Sequence, residues 1–141
     1  DIPFMGAKLM SKGFKDGVIE ETSDNYEILA NALMGAREHE HVITPLTKAA
    51  SMAEDGELYV KLGQAYASTD DWANAKVALE NALKKGGLKQ EHNALSLLGN
   101  AYYNEGDMDA ALKTFKRMAK LEEGKKVAKQ WIAFLERQKK G

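Results

Sequence analysis

"LGQAY", residues 62–66, returns as "LGNAY", residues 98–102, 36 positions later. The flanks repeat with it. Setting residues 56–89 over 92–125 brings Tyr59 onto Leu95, Leu62 onto Leu98, Gly63 onto Gly99 and Tyr66 onto Tyr102. Farther along, Trp72 falls on Met108, Ala75 on Ala111 and Leu79 on Phe115. A weaker copy lies 33 residues upstream, with Tyr26, Leu29, Ala30, Leu33, His39, Val42, Leu46 and Ala49 in the same register. A period of this size marks an array of small stacked units, none of which buries its apolar face alone.

Each copy holds two amphipathic stretches of about 13 residues, their apolar positions recurring at steps of three and four, as one buried helical face requires. Polar turns separate the two: "AREHE" at 36–40, "STDD" at 68–71 and "NEGD" at 104–107. Asp71 and Asp107 stand where a helix N-cap belongs, and "KKGG" at 84–87 reads as a helix C-terminus. Pro45 removes a backbone donor early in the second stretch of the first copy and predicts a kink there. No segment reads as a strand.

Gly63, Gly99 and Ala30 fall in the middle of a first helix, where glycine costs up to about 1 kcal/mol relative to alanine. A partner helix crossing close by explains that cost. Ala75 and Ala111 are the small residues expected to face the glycines, with Leu62, Tyr66, Leu79 and Phe115 filling the layers between helices.

The combined pattern over residues 23–124 resembles the tetratricopeptide repeat, a unit of about 34 residues. Tyr59, Leu62, Gly63, Tyr66, Ala75, Leu79 and Ala82 match its signature in the central copy. Leu95, Leu98, Gly99, Tyr102, Ala111 and Phe115 match it in the last, where Met118 replaces the usual alanine. The closing proline is missing from every copy. The resemblance implies an all-α, right-handed α-solenoid of three helix pairs, at 23–55, 56–91 and 92–124. Residues 4–16 then read as a helix of a truncated upstream repeat, with Phe4, Ala7, Leu9 and Met10 available for burial and Gly17 ending it. With its partner helix missing, that edge is expected to leave Met5, Leu9 or Met10 uncovered and to offer a self-association surface. Residues 125–139 read as a capping helix with Val127, Trp131, Phe134 and Leu135 on one side.

Two longer stretches, residues 31–66 and 82–115, are similar to the C-terminal part of proteobacterial tetratricopeptide proteins associated with TonB–ExbB–ExbD systems. That likeness implies a periplasmic interaction scaffold. A cytosolic adaptor and a regulatory or substrate-recruiting domain of a larger enzyme are the alternative readings.

Reactive groups are sparse. Cysteine is absent and histidine is limited to His39, His41 and His92, so a cysteine zinc cage or thiolate nucleophile is excluded. His39, although set in "REHEH", falls on the register position of Trp72 and Met108 and reads as a packing residue. No metal, cofactor or catalytic role is expected. No apolar run approaches the ~20 residues of a membrane span. Residues 1–112 carry 10 Lys and Arg against 18 Asp and Glu, whereas residues 113–141 carry 10 against 3. An acidic majority of the chain argues against nucleic acid, and the basic end can steer an anionic partner.

The expected partner is a protein or peptide held in the groove lined by the first helices. The ninth position of each is an amide: Asn31, Gln64 and Asn100. Neighbouring helices pack ~8–10 Å apart and an extended chain advances ~3.3 Å per residue. One amide would thus meet every third peptide group or so. Met34, Val60 and Tyr103 flank the row, and Asp24, Glu27 and Glu57 favour a basic residue at one end. The second positions are Asp24, Glu57 and Asn93 and the fifth are Glu27, Val60 and Ser96, so the groove lacks the cations that grip an acidic C-terminal tail.

Overall fold

The computed structural model describes residues 2–141; the side chains of Ile2 and His39 lie outside the description, and with them the packing role expected of His39. The described residues form eight helices and no strand. They are α1 (Ile2–Lys15), α2 (Ser23–Gly35), α3 (His39–Met52), α4 (Glu57–Ser68), α5 (Trp72–Lys85), α6 (Glu91–Asn104), α7 (Met108–Met118) and α8 (Lys125–Lys140). Each packs on its neighbour in sequence, and α4 also meets α6. This is an α-solenoid.

The repeat is written into the backbone of the turns. Residues 36–38, 69–71 and 105–107 join α2 to α3, α4 to α5 and α6 to α7. The middle residue is left-handed each time: Arg37 (φ 60°), Asp70 (φ 59°) and Gly106 (φ 81°). The next amide then reaches back to the last turn of the helix, Glu38 to Leu33 O at 2.9 Å, Asp71 to Tyr66 O at 3.0 Å and Asp107 to Tyr102 O at 2.9 Å. These bonds satisfy carbonyls that a helix end leaves unpaired. Asp71 and Asp107 then cap α5 and α7, accepting from Asn74 N at 3.2 Å and Ala110 N at 3.1 Å. Thr22 does the same for α2 through Asn25 N at 3.1 Å. α3 remains helical through Pro45.

A large side chain lies close over each packing glycine. A Cβ on Gly63 would lie 2.7 Å from Leu79 Cγ, and one on Gly99 would lie 2.4 Å from Phe115 Cζ. The atoms nearest each glycine belong to a large residue of the second helix, Leu79 or Phe115. Each glycine makes a hole into which a side chain inserts, which uses the missing Cβ more fully than a close approach of two backbones would. Ala75, Ala111, Leu79 and Phe115 are all completely buried.

The two ends correct the sequence reading in part. In α1, Ala7 is buried, while Met5 (62% exposed) and Leu9 (70%) are left uncovered, as expected of this edge, although Leu9 was also expected to be available for burial. Phe14, absent from the expected set, stacks on Tyr26 with ring centroids 4.5 Å apart. In α8, Val127 is 44% exposed, whereas Ala128 and Leu135 are buried. The inward stripe is therefore one residue out of phase with the expected one at its start. Ile132, Trp131 and Phe134 complete it, and Trp131 stacks on Phe115 at 4.8 Å.

Two tyrosines tie the copies to their surroundings. Tyr26 donates to Glu21 Oε1 and Tyr102 to Glu80 Oε1, both at 2.5 Å. The bond to Glu21, aided by burial, raises the Tyr26 pKa above its ordinary 10.0. Desolvation of Tyr102, aided by its bond to Glu80, raises it likewise. Both shifts favour the neutral phenol in the folded chain. Their contribution to stability is complete below the unfolded value and is lost as pH climbs toward the folded ones. We expect part of the tyrosinate absorbance to appear only with loss of the helical circular dichroism, and Tyr26→Phe or Tyr102→Phe to shrink that part. If neither substitution alters it, these phenols are not held by their carboxylates.

Candidate functional site

The amide row sits on corresponding faces of α2, α4 and α6. Asn31 and Gln64 are exposed. Asn100 is half-buried, and its amide donates to Ser96 O at 3.0 Å, leaving the carbonyl oxygen and one N–H for a ligand. Neighbouring first helices are linked across the row, where Lys61 of α4 meets Glu27 of α2 at 3.2 Å. The Glu27 carboxylate thereby has a cation beside it. Glu57 is committed elsewhere, accepting from Lys89 N at 2.7 Å. Of the three acids expected at one end, Asp24 is exposed and has no ion-pair partner among the described residues. Met34 and Val60 are half-buried.

Tyr103 departs most from the simple row. It lies one turn beyond Asn100 on α6 and packs edge-on against Trp131 and Phe134 of α8, at 5.4 and 5.7 Å between centroids. With Gln130 these rings line a shallow hollow of about 310 Å³. The amide row therefore ends on an aromatic corner that the terminal helix completes. Trp131 and Phe134 read as packing residues in the sequence; only their pairing with Tyr103 across the α6–α8 junction makes them a surface. A repeat alignment carries no signal for that, because α8 belongs to no repeat.

The junction beside Glu57 is laced tightly. Gly56 N donates to Gly86 O at 2.8 Å, and Lys85 Nζ caps the end of α3 at Ala50 O and Ser51 O, 2.9 and 3.1 Å away. Gly86 and Gly87 take φ of 75° and 69°, so the longer 86–90 connector folds back on residues 55–57. This fixes α4 against α6 and with them the spacing of Gln64 and Asn100.

Among the described residues no group of three or more histidines and carboxylates is arranged to hold a metal ion. Nor is any described helix long and apolar enough to cross a membrane.

Comparison with known proteins finds the same repeat in two segments of the chain. Residues 57–85 and residues 94–127 each match a family model described as tetratricopeptide repeat. No curated sequence matches the chain. A crystal structure of MamA superposes with a TM-score of 0.74 at 22% identity, over 94% of this chain and 76% of that one. The first tetratricopeptide module of Spaghetti (RPAP3), bound to the HSP90 peptide SRMEEVD, gives 0.67 at 17% identity over 84% and 96%. YrrB, described as a tetratricopeptide protein with an unusual peptide-binding site, gives 0.68 at 22% identity over 92% and 65%. The two matched segments, α4 to the start of α8, carry tetratricopeptide repeats; α2 and α3 form one more helix pair before them, and the described helices stack as an α-solenoid.

Proposed function

We propose that the chain is a non-enzymatic scaffold that holds an extended segment of a partner protein along α2, α4 and α6. The observation that carries this reading is the continuous row of Asn31, Gln64 and Asn100 ending on the Tyr103–Trp131–Phe134 hollow. Amides offer donors and acceptors to a peptide backbone whatever its sequence. The hollow adds a seat for one apolar or aromatic side chain, and Asp24 with the Lys61-paired Glu27 favours a basic residue toward the other end. The SRMEEVD peptide held by the Spaghetti module is acidic. A ligand of that charge would meet acids at Asp24 and Glu27 here, so a different class of segment is proposed. The likeness of residues 31–66 and 82–115 to TonB-associated proteins supports a periplasmic setting with a partner from such a system.

A peptide-display selection against the chain tests the proposal. Enriched sequences should pair an aromatic or large apolar residue with a basic residue several positions away. Their affinity should fall at least about tenfold, roughly 1.4 kcal/mol, when Asn31, Gln64 and Asn100 are all changed to alanine. Unchanged affinity, with the helical circular dichroism intact, would place the binding surface elsewhere.

A further inference from the structure

The side of the solenoid built from second helices carries a separate surface. Between α5 and α7, over α6, opens a cleft of about 1000 Å³. Its floor is apolar, made by Leu83 of α5, Leu95 and Leu98 of α6 and Leu112 of α7. Its rim is cationic, with Lys84, Lys113, Lys116, Arg117, Lys120 and Lys139. The two carboxylates of the cleft are both engaged: Glu80 accepts from Tyr102, and Asp109 pairs with Lys139 at 2.6 Å. Arg117 pairs with Glu91 at 2.7 Å. Among the described residues no carboxylate lies within ion-pair distance of Lys84, Lys113, Lys116 or Lys120, all of them exposed.

Only part of the charge follows the repeat, with Lys120 falling on Lys84. One period earlier, 36 residues upstream, the positions of Lys113, Lys116 and Arg117 are held by Val77, Glu80 and Asn81. The fold tolerates neutral and acidic residues there. Four unpaired ammonium groups around one cleft repel one another, and an anionic ligand relieves that repulsion while steering itself into place.

We propose that this cleft docks an acidic segment of a partner protein, its carboxylates on Lys84, Lys113, Lys116 and Lys120 and one or two apolar side chains on the leucine floor. An apolar floor recessed below a charged rim suits such a segment. A nucleic acid would find no stack of aromatic faces to rest its bases on, and a flat anionic membrane cannot reach recessed leucines. The site is distinct from the amide row: α6 turns Leu95, Leu98 and Tyr102 to the cleft, which neither Asn100 nor Tyr103 lines. An acidic segment disfavoured by the first helices thus has a place on the second.

The test uses a fluorescein-labelled peptide of repeating Glu-Glu-Leu and a length-matched poly-glutamate control, with fluorescence anisotropy at moderate salt. The Glu-Glu-Leu peptide should bind, and Lys84→Ser/Lys113→Ser/Lys116→Ser/Lys120→Ser should weaken it at least about tenfold. The triple alanine variant of Asn31, Gln64 and Asn100 should bind it as the parent does. Poly-glutamate should bind more weakly, because it has nothing to place on the leucines. The proposal fails if the peptide does not bind, if the four-serine variant binds equally, or if poly-glutamate binds as well as Glu-Glu-Leu. It also fails if phosphatidylglycerol vesicles or a single-stranded oligonucleotide bind through the same lysines more tightly than the peptide does.

Discussion

Gly99→Leu should cost more than about 3 kcal/mol, above the usual range for overpacking a core, and lower the melting temperature by on the order of 10 °C or more. Even a methyl group is too much at this site, since a Cβ would lie 2.4 Å from Phe115 Cζ and 2.6 Å from its Cε2. The ring has no room to retreat. It is completely buried and stacked on Trp131, which in turn packs against Tyr103 and Phe134. Gly99→Ala gains up to about 1 kcal/mol of helix propensity but must displace that stack, so a net loss of about 1–2 kcal/mol is expected. The repeat supplies its own control. At the matching site Gly63 faces Leu79, whose nearest atom is 2.7 Å from the added Cβ, and Gly63→Ala should cost less. Phe115→Leu should likewise soften Gly99→Ala, a coupling that a double-mutant cycle measures. A Gly99→Ala protein that melts at or above the parent would show that Phe115 does not lie over Gly99.

Gly56→Ala should be nearly as damaging, at about 2–4 kcal/mol. Its backbone, at φ −88° and ψ 4°, is open to any residue, so conformation is not the reason. The added Cβ would sit 2.2 Å from the carbonyl oxygen of Ala82, a backbone atom of α5 that no rotamer change can move. Relief requires the 55–57 and 86–89 segments to separate, breaking the Gly56–Gly86 and Lys89–Glu57 bonds. Urea denaturation measures the loss, and amide exchange at Gly56 should quicken beyond the global change. Gly6→Ala serves as a reference: nothing lies within 4 Å of its Cβ, and it should stabilise α1 slightly. Equal midpoints for the Gly56 and Gly6 variants would mean that this junction is looser than described.

These two glycines mark where the sequence was legible and where it was not. Gly99 announced itself, because a glycine inside a helical pattern carries a cost that something must offset, and its recurrence as Gly63 fixed the register. The Asp71 and Asp107 caps were legible for the same reason, as residue types with one strong local use. Gly56 was silent. It lies in a connector, where glycine costs nothing, and the carbonyl that excludes a side chain arrives from 26 residues away. Periodicity says which positions face inward but not which partner atom fills a given hole, so it did not single out Leu79 and Phe115 as the residues nearest the glycines. The same gap hid the candidate surfaces. The amide row follows from register alone, whereas the Tyr103–Trp131–Phe134 corner depends on how α8 docks. The basic bias of residues 113–141 was plain as a count; its concentration around an apolar cleft required α5 and α7 to flank α6.

The most direct test of the central claim, that a partner chain lies along the first helices, is a nitrogen-15 NMR titration with a peptide from the display selection. The side-chain amide signals of Asn31, Gln64 and Asn100 and the indole signal of Trp131 should shift together and saturate at one stoichiometry, with backbone changes confined to α2, α4, α6 and the adjoining face of α8. Shifts gathered on α5 and α7, with the three amides unmoved, would contradict it.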